Sequence, residues 1–121
     1  MKSLVKDKAL LFAVQVIQLS RLLDNRRAYT ISKQVVRSGT SIGANLAESA
    51  DAQSYKDFLH KVSIALKEAR ESQYWLEVLK ESKLCSITEL ALSQNLQEII
   101  AMLVATRKTV KQKLSQKEQS A

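Results

Sequence analysis

No proline occurs anywhere in this chain, and its only two glycines, Gly39 and Gly43, stand four residues apart inside the stretch RSGTSIGANLAE. Proline and glycine are the strongest punctuators of local structure, so a chain nearly without them has little means to make tight turns or sheet corners. The good helix formers alanine, leucine, lysine, glutamine and glutamate are abundant instead. The expected class is all-α, with long uninterrupted helices. A length of 121 residues suits one domain, and 45% hydrophobic residues suffice for a small core.

Apolar residues at spacings of three and four mark four helices, at about 4–24, 26–49, 54–83 and 87–114. In the second, Ile31, Val35, Ile42 and Leu46 form one stripe. In the third, Phe58, Val62, Leu66, Ala69, Leu76 and Leu79 do the same. The fourth carries Leu92, Leu96, Ile99, Leu103, Thr106 and Val110 near heptad spacing. Ser54-Tyr55-Lys56-Asp57 and Ser86-Ile87-Thr88-Glu89 read as capping boxes that open the third and fourth helices. Short links between helices of about 40 Å make neighbours antiparallel, so residues 1–114 are expected to form an up-down-up-down four-helix bundle. Residues 115–121 are expected to be a basic, disordered tail.

The first helix is too apolar for a simple bundle. Leu10, Leu11, Phe12, Val14, Val16, Ile17, Leu19, Leu22 and Leu23 wrap most of its circumference. A helix apolar nearly all round must be buried nearly all round, which points to a subunit interface and a homo-oligomer. Gln15, Gln18 and Arg21 interrupt the run, which falls short of a membrane span of about 20 residues. The same run ends without a signal-peptide cleavage site, so a soluble cytoplasmic protein is expected.

Each helical glycine costs about 1 kcal/mol relative to alanine. Gly39, Gly43 and Ala47 share one face, where small side chains let another helix backbone approach. Beside them lies a polar set of Arg37, Ser38, Ser41, Asn45 and Glu48, fit either for a hydrogen-bonded network fixing helix register or for a ligand site. Glu48, Glu68, Arg70 and Glu71 are expected to form interhelical ion pairs.

RSGTSIGANLAES followed by YKDFLHKVSIALKEARESQYWLEVL resembles the four-helix-bundle family named after proteins encoded in 23S rRNA intervening sequences. Arg37, Ser41, Ile42, Asn45, Ala47 and Glu48 match the first half of the pattern. Phe58, Ala65, Lys67, Glu68, Ala69, Arg70 and Glu71 match the second, with Tyr74, Trp75 and Leu76 continuing it. Ser49 stands where the family usually has glycine. The resemblance implies a bundle assembling into a ring, typically a pentamer, with no established enzymatic activity. It also implies a relationship to Avd, the basic accessory protein of diversity-generating retroelements, which binds nucleic acid and a reverse transcriptase.

The charge of +7, from 19 Lys and Arg against 12 Asp and Glu, suits polyanions. Arg107, Lys108, Lys111 and Lys113 form one basic cluster, and Arg26, Arg27, Lys33 and Arg37 another. Both are candidate contacts to RNA or DNA. No sequence-reading motif accompanies them, so binding would fall on phosphates with weak sequence specificity. The other reading is a solvated surface that serves solubility, on a scaffold that binds proteins and whose charge is incidental. Tyr74 and Trp75 could stack bases or belong to a packed interface.

Catalysis finds no support. His60 is the single histidine, Cys85 the single cysteine, and about 37 Å of helix separates them. No Glu-x-x-His unit of a di-iron bundle and no glycine-rich phosphate loop is present. A non-enzymatic protein with no catalytic residues, cofactor or metal is expected.

Overall fold

The structure is a computed structural model describing residues 3–86 and 91–120. Four helices follow in chain order: α1 (Leu4–Asn25), α2 (Tyr29–Ser49), α3 (Tyr55–Glu81) and α4 (Leu92–Ser120). Among the described residues there is no strand. Each helix packs on its chain neighbours, and α4 returns to α1. The result is the up-down-up-down bundle expected from the sequence.

Local chemistry sets the ends. Ser3 caps α1 by accepting from the Lys6 amide. Ser54 accepts from the Asp57 amide at 3.0 Å, and Asp57 Oδ2 accepts in return from the Gln53 amide at 3.3 Å. Residues 87–90, which hold most of the second capping box, lie outside the described residues.

The expected boundaries shift where helices close. After α1, Arg27 takes a left-handed conformation with φ 61°, the Ala28 amide donates to the Leu23 carbonyl, and the Arg27 amide to that of Asp24. This is a Schellman closure, so α2 begins at Tyr29 rather than near residue 26. Lys83, also at φ 61°, repeats it after α3, with the Leu84 amide donating to the Leu79 carbonyl. Non-glycine residues hold the left-handed position at both turns, the structural answer to a chain so poor in glycine. At the other end α4 runs on to Ser120, through the segment whose composition suggests a tail. Lys113 and Lys117, seated over the Tyr55 ring, hold its last turns to the start of α3.

The core lies along the bundle axis, with Phe12, Val16, Ile42, Leu66, Ile99 and Leu103 essentially without solvent contact. The two glycines serve it differently. A Cβ on Gly39 would come within 2.7 Å of Val16 Cγ2, whereas one on Gly43 would meet Ala9 Cβ at 3.6 Å, an ordinary contact. Val16 is fully buried and stiff at χ1, so it cannot yield.

Gly39→Ala should therefore lower stability by about 1–2 kcal/mol, the overpacking cost less the gain in helix propensity. Gly43→Ala should raise it by about 0.5–1 kcal/mol. Urea unfolding of both variants beside the parent checks this, and equal shifts of the same sign would show that the two sites do not differ.

Candidate nucleic-acid interface

The basic residues separate to the two ends of the bundle. Asn95 Nδ2 donates to the Lys8 carbonyl at 3.1 Å, and Lys8 Nζ meets Glu98 at 2.6 Å. The start of α1 is thus level with the first third of α4, and residues 107–120 continue beyond it. The hydrogen bond from Lys8, with its charge, holds the exposed Glu98 carboxyl below its ordinary pKa. Arg26, Arg27 and Lys33 are exposed at or near the far end, beside the α1–α2 turn. Arg26 is also a structural tie, because its guanidinium donates to the Leu84 carbonyl and joins the two Schellman turns. Arg107 is half-buried, while Lys108, Lys111 and Lys113 are exposed on the distal part of α4. No carboxylate among the described residues pairs with any of these four.

Arg37 differs from the rest of its cluster. Its guanidinium bridges from α2 to Glu68, at 3.3 Å, and Glu71 on α3, and donates to Gln34 Oε1 at 3.2 Å. Trp75 Nε1 donates to the same Glu71 at 3.0 Å. Two carboxylates beside one guanidinium leave no net positive charge for a phosphate, so the structure makes Arg37 a helix-pairing residue. Immediately beneath, the Ser72 hydroxyl donates to Ser38 Oγ at 2.9 Å, with both serines buried. Sequence reasoning missed this pair, although Ser38 and Ser72 both occupy seats of otherwise apolar stripes.

The other polar residues of α2 act locally. The Ser41 hydroxyl donates to the Arg37 carbonyl at 2.6 Å and Asn45 Nδ2 to the Ser41 carbonyl at 2.8 Å, both within their own helix. Glu48 is exposed and lies 3.6 Å from Lys61 of α3. Arg70 stands exposed on α3, apart from the ion pairs among the described residues.

Two further surfaces stand out among the described residues. On α1, Leu4, Leu10, Leu11, Val14 and Ile17 are exposed, Leu10 to 67%. Next to them Ala9, Ala13, Thr40, Gly43, Ala44 and Ala47 line a hollow of about 300 Å³ between α1 and α2. On α4, the core stripe of Leu92, Leu96, Ile99, Leu103, Thr106 and Val110 continues at the same spacing into Lys113 and Lys117. Their ammonium groups lie 5.8 and 5.7 Å from the Tyr55 ring centre. Lys117 belongs to the basic run of residues 107–121 and Tyr55 to the Ser54 capping box, and the uninterrupted spacing along α4 was the usable signal for their pairing. Of the other aromatics, Trp75 is fixed against the core, while Tyr74 is exposed and meets it edge-on at 5.2 Å.

His60 is exposed near the start of α3 and Cys85 is buried just beyond its end. Among the described residues no group of three or more His, Cys, Asp or Glu could hold a metal ion. No helix there is long and apolar enough to cross a membrane.

Arg37→Ala should lower stability by no more than about 1 kcal/mol, since the guanidinium is half exposed. It should leave any nucleic-acid affinity unchanged. Denaturant unfolding and a binding titration of the same variant check the two halves separately.

The model of the 23S rRNA-intervening sequence protein family matches residues 1–105. Among solved structures, the chain is similar to a protein of unknown function from the S23 ribosomal protein family of Bacteroides thetaiotaomicron, at 43% identity and a TM-score of 0.83. The similarity covers 87% of this chain and 99% of that one. No curated protein matches the chain.

Proposed function

The chain belongs to the 23S rRNA-intervening sequence protein family, and we propose that it works as a non-enzymatic, homo-oligomeric accessory that binds RNA or DNA through the phosphate backbone. The observation that carries the nucleic-acid half is the distal part of α4, where Arg107, Lys108, Lys111 and Lys113 have no paired carboxylate among the described residues. Unpaired cations on a basic protein attract polyanions and release condensed counterions on binding, giving tight, salt-sensitive and weakly sequence-specific contact.

Assembly follows from α1. Its exposed row of Leu10, Leu11 and Val14 stands beside the hollow at Ala13, Gly43 and Ala47, so side chains that protrude and a recess that receives them occupy one face. A second copy can use both, and repetition in one sense closes a ring. The pentamer is the number that the sequence resemblance implies. A ring repeats each basic cluster and strengthens weak phosphate contacts by multivalency. In the cytoplasm such a ring could also present nucleic acid to a protein partner such as a reverse transcriptase. The exposed α1 row supports a second reading as well, a protein-binding scaffold, because a different protein could cover it.

Titration of a labelled structured RNA and a duplex DNA across a salt series tests the proposal, with light scattering for mass. Binding should weaken steeply with salt, and replacing Lys108, Lys111 and Lys113 by Gln should flatten the slope by up to about three. Leu10→Glu or Gly43→Leu should reduce the mass toward one chain. Absence of binding at low salt would falsify the nucleic-acid half and favour the scaffold.

A further inference from the structure

The core stripe of α4 outruns α1. Past the level of Leu4, where α1 begins, the described residues lining α4 beside Thr106, Val110, Lys113 and Lys117 are Ser49 at the end of α2, the α2–α3 loop and the start of α3. Together they line an open groove of about 870 Å³. Phe58, Ala105 and Val110 supply its apolar lining, and Tyr55, Lys113 and Lys117 its edge. Two ammonium groups share one aromatic ring there, and no carboxylate among the described residues pairs with either.

We infer that this groove takes a segment of single-stranded nucleic acid, with phosphate on Lys113 and Lys117 and a base on Tyr55. The lysines cover the ring by cation–π attraction, a weak contact at an exposed site. A phosphate, as a full anion, draws them off and uncovers the ring face. The base attached to that phosphate stacks on the uncovered ring, and the lining at Phe58 and Val110 accepts its apolar edge. Basic groove plus aromatic platform is the usual chemistry for single strands, whereas a duplex keeps its bases stacked inward. The inference rests on the proposed nucleic-acid binding and adds a place and a strand preference to it.

Fluorescence anisotropy of a labelled twelve-nucleotide oligouridylate and of a duplex of equal length tests it on the full chain. Tyr55 is 46% exposed, so Tyr55→Ala should fold normally. It should weaken single-strand binding about tenfold while leaving the duplex unchanged, and Tyr55→Phe should restore the parent affinity. Replacing Lys113 and Lys117 by Gln should reduce the salt slope for the single strand by up to about two. If the parent binds oligouridylate but Tyr55→Ala does not weaken it, or weakens both ligands alike, the groove assignment fails and the broader proposal stands. If the parent binds neither, both fail. If poly-glutamate of matched charge binds as tightly with the same sensitivity to Tyr55→Ala, the groove takes an acidic peptide and the inference is overturned.

Discussion

The bundle depends on the place where Val16 sits on Gly39. A side chain of any size at residue 39 would collide with a branched, fully buried neighbour, so α1 can lie this close to α2 only because that position has no Cβ. One residue earlier, Ser38 turns to the other side of α2 and meets Ser72 of α3. A single turn of α2 therefore fixes two neighbours at once, one through the absence of a side chain and one through a buried hydroxyl pair. Arg37, with Glu68 and Glu71, extends the same turn's hold on α3 to the surface. With α1 seated so deeply, one face buries Phe12 and Val16, and the opposite face, at Leu10, Leu11 and Val14, is left bare.

Much of this was legible in the sequence. The lack of proline, the stripes and the Ser54 capping box were enough to give four antiparallel helices, because local periodicity determines which face must be buried. The excess apolar surface of the first helix was legible too, and in the structure it stands exposed at Leu4, Leu10, Leu11, Val14 and Ile17. The spacing puts both glycines on one stripe, and contact distances separate Gly39, pressed by Val16, from Gly43, which faces Ala9 with room for a methyl group.

The basic surface was harder to read. Arg26, Arg27, Lys33 and Arg37 are close in sequence, yet Arg26 ties two turns together and Arg37 lies between two carboxylates. Charge counted along a chain does not reveal which cations are already neutralised across helices. The distal end of α4 carried the opposite lesson. Lys117 falls in the segment whose composition suggests a tail, and Lys113 just before it, but their spacing keeps both in register with Leu103 and Val110, which brings them to Tyr55. Register outweighed composition there.

The packing order of the helices also governs how the chain reaches its fold. Three of the four helix seams join segments adjacent in the chain, and only α1 with α4 brings distant ends together, along the slightest of the four contacts. Loop closure is entropically inexpensive for the first three, so the α1–α2 and α2–α3 hairpins can form early and fast. With no proline, the chain also has no slow prolyl isomerisation step. The α1–α4 seam is then the last to close and the first to open, and amide exchange should be fastest in the helix turns that flank it.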